Sequence, residues 1–124
     1  MKVLLVDDEI DIRKIGRMSL ERIGGFQAEV AASVAEALLL ARQFRPDVIL
    51  MDMMMPDIDG LAALAMLRAQ PDLAAVPVVF LTARVQTSDV RQYIAAGALG
   101  VIGKPFDPMT LPTEVRRLLG DGVG

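Results

Sequence analysis

The chain predicts an α/β domain whose parallel sheet is covered by helices on both faces, and three observations carry that reading. Short apolar runs recur five times, at residues 3–6, 26–31, 48–51, 76–81 and 99–102. The intervals between them are long enough for helices and hold helical start and stop signals. Runs such as "VILM" at 48–51 are apolar without alternation, as in strands buried on both faces. Strands alternating with helices pair in parallel through right-handed crossovers.

Each element has its own warrant. After the first strand, Ile12, Ile15, Met18 and Ile23 recur at near-helical spacing until Gly24 and Gly25 stop the helix. Beyond the second strand, Ser33 and Glu36 form a capping box, and Ala35, Leu38, Leu39 and Arg42 carry the second helix to about Phe44. The third helix, 61–69, is rich in Ala and Leu and stops before Pro71. The fourth, 88–96, ends at Gly97. The last runs to Leu119, its regular part starting near Leu111, because Pro108 and Pro112 both suit a first turn and cannot both hold its first position. We expect one domain, 1–120, and a flexible tail, 121–124.

Composition narrows the function. With 53% hydrophobic and only 4% aromatic residues, the core has to come from Ala, Leu, Val, Ile and Met. A net charge of −3 argues against affinity gained by neutralising nucleic-acid phosphates or an anionic membrane. The lack of Cys and His excludes disulfides, thiolate or imidazole metal sites, Ser-His-Asp triads and a phosphohistidine on this chain. The apolar "MKVLLV" gives way at once to Asp7, Asp8 and Glu9, too early for a signal peptide or membrane span, so a cytoplasmic location is expected.

In open parallel sheets, ligands bind beyond the carboxyl ends of the strands. Asp7 and Asp8 follow the first strand, Asp52 the third, Thr82 the fourth, and Lys104 with Pro105 the fifth. Singly, each has an ordinary reading: a helix cap, a strand-end threonine, a solvated lysine. Asp52 is harder to dismiss, because nothing in "DMMMPDIDG" requires a carboxylate directly after a buried strand. Carboxylates about 4 Å apart repel by roughly 4 kcal/mol at an effective dielectric of 20, so three of them need compensating cations. Lys104 offers one charge, and an oxygen-only site with room for water favours Mg²⁺ for the rest. With Lys104 and Thr82 beside it, such a site suits a phosphoryl group.

"LLVDDE", "DVILMDMMMPDIDG", "PVVFLTA" and "GVIGKPF", in this order and spacing, resemble the receiver domain of two-component response regulators, single-domain chemotaxis regulators among them. The resemblance runs from Lys2 to about Leu119 and implies a flavodoxin-like (βα)5 sheet of order 2-1-3-4-5. It makes Asp52 the nucleophile that accepts a phosphoryl group from a sensor histidine kinase or histidine phosphotransfer protein. Mg²⁺ would be bound by Asp8, Asp52 and the backbone carbonyl of Met54, with Asp7 acting through a water. Lys104 would pair with one phosphoryl oxygen; Thr82, helped by the Ala83 amide, would bond another. Pro56 and Gly60 match the loop after the acceptor, where Gly60 would ease the turn into the next helix. Lys104–Pro105 matches a peptide bond that is often cis in the family.

Departures from the family pattern carry information. Val101 replaces the Tyr or Phe that moves inward with the threonine, so the signalling change is expected at Thr82 and the fourth helix alone. Met54 and Arg84 hold positions that tune phosphoryl hydrolysis; a thioether orients water poorly, which predicts slow autodephosphorylation. The output expected is an altered surface on helix 4, strand 5 and helix 5, with Tyr93, Arg91, Arg116 and Arg117 contributing, read by a downstream protein target. The state would be monomeric or a phosphorylation-dependent dimer, with no direct nucleic-acid contact. Such a domain catalyses only its own phosphorylation and dephosphorylation. Two alternatives are a Mg²⁺-dependent phosphohydrolase with an Asp nucleophile and a receiver-like module that binds partners without phosphorylation. Met54 stands where the hydrolase would need a second Asp, and the intact set Asp7, Asp8, Asp52, Thr82 and Lys104 opposes the third reading.

Overall fold

The computed structural model describes residues 1–120; the tail expected at 121–124 lies outside the described residues. Five parallel strands, β1 (Lys2–Val6), β2 (Gln27–Ala31), β3 (Val48–Asp52), β4 (Val78–Thr82) and β5 (Gly100–Gly103), form one sheet of order β2-β1-β3-β4-β5. The helices are α1 (Ile10–Met18), α2 (Val34–Phe44), α3 (Gly60–Arg68), α4 (Thr87–Ala95) and α5 (Leu111–Leu119). The expected α/β flavodoxin-like architecture is therefore present.

Alternation along the strands divides the apolar side chains between two layers. Leu4, Val6, Ile49, Met51 and Phe80 face the side covered by α2, α3 and α4, where they join Ala37, Ala41, Leu64, Leu67 and Tyr93. Val3, Leu5, Val48, Leu50, Val79 and Leu81 face the other side, packed with Leu20, Phe106, Leu111 and Val115 from the α1 and α5 layer. Each fully buried Leu, Ile or Val contributes on the order of 2 kcal/mol, so the central strands β1, β3 and β4 hold the site's scaffold rigidly.

Several boundaries differ from the sequence reading for identifiable reasons. The first helix is α-helical only to Met18; residues Ser19–Ile23 form a π-helical turn, closed by the Gly24 N–H bonding Ser19 O at 3.1 Å. That turn rolls Ser19 and Leu20 inward, Ser19 Oγ donating to Pro108 O. Ile15, Met18 and Ile23, whose spacing marked the helix, are exposed, and Gly16 takes the buried position against Leu5. Gly25 follows with φ 72°, a left-handed conformation that glycine adopts without steric cost. β4 begins at Val78 rather than 76, since Val76 closes the preceding turn through its N–H to Leu73 O at 3.2 Å. Leu111 and Pro112 occupy the first and second positions of α5 after Thr110, while Pro108 sits in the preceding turn held by Asp107.

Gly60 is the first residue of α3 rather than part of a turn needing unusual dihedrals. Its lack of a side chain serves packing: a Cβ there would lie 2.6 Å from Met53 Sδ and 3.0 Å from Phe80 Cε1. Asp59 caps the helix, its Oδ1 accepting from the Ala62 N–H at 2.8 Å.

Candidate functional site

The β1 and β3 ends place the acids. Asp7 follows Val6 directly and is fully buried; its N–H bonds Ala31 O, its Oδ1 accepts from the Glu9 N–H at 2.9 Å, and its carbonyl accepts from Arg13 Nη1 at 2.8 Å. Asp8 turns to solvent. Asp52 is itself the last residue of β3, paired in register with Leu81, and only 3% exposed. Its Oδ1 accepts from the Met54 N–H at 3.2 Å. The chain then carries Met54 outward, 71% exposed, between the buried Met53 and Met55.

β4 and β5 supply the rest. Thr82 ends β4 inside the protein, its Oγ1 accepting the Arg84 N–H at 3.0 Å, with Ala83 exposed beside it. Lys104 follows β5, its backbone N–H bonding Thr82 O at 2.9 Å, and the Lys104–Pro105 peptide is cis. The Lys104 ammonium lies 2.8 Å from Asp7 Oδ2 and 3.3 Å from Asp52 Oδ2. All five residues expected at the carboxyl edge are thus brought to it.

Burial holds the Asp52 carboxyl above its ordinary pKa; the Met54 N–H opposes the rise, the charge of Asp7 adds to it, and Lys104 opposes it. For Lys104, burial alone would lower the pKa, but the hydrogen bond and charge of Asp7, with Asp52 behind them, raise it above the ordinary value. Carboxylate oxygens of Asp7, Asp8 and Asp52 lie within 4.8 Å of one another. An all-oxygen set with one face open at Asp8 fits a hard divalent cation that keeps part of its water shell, as Mg²⁺ does. A concavity of about 460 Å³ lies elsewhere, along the β2 edge among Lys2, Arg17, Phe26 and Phe44. An open cleft of about 380 Å³ borders Asp8 instead, lined also by Met54, Pro56 and Asp59, and one of about 230 Å³ shares Met54 and Asp59 with it and reaches Arg84, Asp89 and Tyr93. The chemistry of the side chains, rather than cavity size, marks the site.

A model of the response regulator receiver domain matches residues 3–116. The chain belongs to that family. The receiver is 40% identical over 119 residues to response regulator Rre1 of Synechocystis, covering 96% of this chain and 52% of that protein. It is 36% identical to the DNA-binding response regulator MtrA of Mycobacterium tuberculosis, covering 95% of this chain and 50% of that one. The chain spans about half the length of these curated relatives. Among solved structures, the chemotaxis response regulator CheY4 of Vibrio cholerae superposes with a TM-score of 0.85 at 36% identity, over 94% of this receiver and 97% of that chain.

The expected output-face residues of the receiver are only partly available. Arg91 is exposed, and Arg117 is exposed with a loose pair to Glu114 at 3.9 Å. Tyr93 instead points into the core, its ring edge-on to Phe80 with centroids 5.7 Å apart. Arg116 is turned away to the π-helical turn, donating to Gly24 O with its guanidinium 4.3 Å over the Phe26 ring. Val101 is half-buried against the same layer as Phe80. Sequence reasoning missed Arg13, whose position six residues after Asp7 puts it on the α1 turn facing the acids, and Asp89, which no local pattern signals.

Proposed function

We propose that this receiver is a phosphorylation-switched signalling module in which Asp52 accepts a phosphoryl group from the phosphohistidine of a sensor histidine kinase or phosphotransfer protein. The observation that carries the reading is a nearly buried carboxylate at a strand end, clustered with Asp7 and Asp8 and 3.3 Å from the Lys104 ammonium. In the transfer, the donor's N–P bond breaks as an Asp52 oxygen forms the new P–O bond, and the imidazole nitrogen keeps the electron pair. The acceptor supplies no proton, so a chain without histidine loses nothing. Such a reaction depends on positioning and charge neutralisation more than on acid-base chemistry.

Asp8, Asp52 and the Met54 carbonyl would hold Mg²⁺, with Asp7 acting through a water, and the ion would supply positive charge to the transferring oxygens. Lys104 neutralises one phosphoryl oxygen. Thr82 Oγ1 accepts from Arg84 N–H, which leaves its own proton free to donate to another, beside the Ala83 amide. Met54, a thioether, offers no acid or base for turnover of outside phosphoesters, so the domain catalyses only its own phosphorylation and autodephosphorylation. The output is a change at Thr82 and α4 that alters the surface α4 shares with β5 and α5, recognised by a protein target, the domain itself being monomeric or pairing on phosphorylation. MtrA is named as DNA-binding, but the net charge of −3 gives this receiver no basic footprint for nucleic acid. No helix among the described residues is long and apolar enough to cross a membrane, which is compatible with a cytoplasmic setting.

Treatment with acetyl phosphate and Mg²⁺, followed by intact mass measurement, tests the reading. Wild type should gain one phosphoryl group and Asp52→Asn none; steady phosphate release from unrelated phosphoesters would overturn it.

A further inference from the structure

Arg84 is held at two points. Its backbone N–H bonds Thr82 Oγ1 at 3.0 Å, and its guanidinium pairs with Asp89 in the first turn of α4, Nη2 to Oδ1 3.9 Å. The two partners are unequal: the Arg84 side chain is 69% exposed and that of Asp89 only 20%. Both line the cleft that also contains Met54 and Tyr93, and Met54 is the residue whose N–H bonds Asp52. The guanidinium therefore shares a cleft with Met54, the residue next but one to Asp52, and is engaged by a carboxylate that belongs to another element.

We propose that Asp89 is a positioning residue that competes with the phosphoryl group on Asp52 for Arg84, so that phosphorylation exchanges one ion pair for another and releases the first turn of α4. This rests on the receiver reading above. A phosphoryl group brings a charge of about −1.5 to −2 and several acceptor oxygens, which a guanidinium fork can meet with two hydrogen bonds. The existing pair is long, largely solvated on the arginine side and worth little, so the exchange is downhill. Asp89, left without its cation, remains favoured in a helical first turn by the backbone dipole, so α4 stays folded while its charge pattern changes. The exchange would link the phosphoacceptor to α4 through a charged side chain, with no aromatic ring needed at Val101.

The test uses the full chain with Mg²⁺ and beryllofluoride, a phosphoryl mimic, and reads affinity by isothermal titration calorimetry. The proteins are wild type, Asp89→Asn, Arg84→Gln and the double variant. Asp89→Asn should bind about threefold tighter and Arg84→Gln about threefold weaker, within the range of exposed ion pairs. In the Arg84→Gln background, Asp89→Asn should change nothing, because the competition has no object. Equal tightening in both backgrounds would mean that Asp89 acts only through its field, and no tightening in either would mean that it does not act at all; each overturns the exchange while leaving the receiver reading intact. A wild type that fails to bind beryllofluoride overturns both.

Discussion

Lys104 stands nearer to Asp7 than to Asp52, at 2.8 Å against 3.3 Å, although Asp52 is the proposed acceptor. The Lys104 ammonium is thus engaged chiefly by an acid assigned to the metal side of the site. That relationship makes the lysine a structural counter-charge to Asp7 as well as the proposed phosphoryl ligand.

Replacing that counter-charge should destabilise the fold. Lys104→Ala leaves the fully buried Asp7 without its ammonium, and loss of one partner of a buried pair costs about 3 kcal/mol. Urea denaturation at neutral pH checks this, and added Mg²⁺ should restore part of the loss by supplying charge to the same acids. The lysine's folded pKa is raised above 10.5, so its contribution is complete below that pH and is lost only as pH rises through the higher folded value.

Asp52→Asn should have the opposite sign without Mg²⁺. Burial raises the folded pKa of Asp52 above 3.8, so the protonated acid suits the fold better than the carboxylate. Stability from this group is therefore fully present below pH 3.8 and lost as pH rises through the folded value. The amide variant should match wild type in acid and exceed it at pH 7 by on the order of 1 kcal/mol, as read from urea midpoints across pH. Mg²⁺ should reverse the ranking by stabilising wild type more.

Tyr93 is expected to behave as core. Tyr93→Ala should cost about 3 kcal/mol in thermal or urea unfolding, while Tyr93→Phe keeps the edge-on contact with Phe80 and should stay within about 1 kcal/mol of wild type.

Phosphoryl lifetime reports on the residue at the mouth of the site. Met54→Asn adds a hydrogen-bonding group able to orient water and should speed loss of the phosphoryl group roughly tenfold, with Arg84→Ala adding a smaller increase. Following the phosphorylated mass over time checks both, and unchanged half-lives would remove the proposed tuning roles.

Addition of beryllofluoride should also shift the amide NMR signals of Thr82, Arg84 and α4 while leaving Val101 nearly in place. A Val101 shift as large as that of Thr82 would show that β5 takes part in the change after all.

The strands and the carboxyl-edge residues were legible because both depend on local pattern. Short, β-branched apolar runs bounded by turn signals read as buried strands, and Asp7, Asp8, Asp52, Thr82 and Lys104 each sit close after such a run stops. The π-helical turn was not legible, since its signal is the long-range fit of Ser19 to Pro108 and Leu20 to the sheet layer, not the spacing of Ile15, Met18 and Ile23. Gly60 read as a turn residue because a sequence records the absent side chain but not what occupies its space, here Met53 and Phe80.

The sequence by itself determined the (βα)5 order, the acid and lysine set and the family pattern, because strand period, breakers and short motifs are properties of neighbouring residues. Only the tertiary structure decided that Lys104 rests on Asp7, that Tyr93 turns inward, that Arg116 turns to Gly24 and Phe26, and that Arg84 is paired with Asp89. Each of those choices depends on distances between elements far apart in the chain, which packing and charge set only once the sheet has closed.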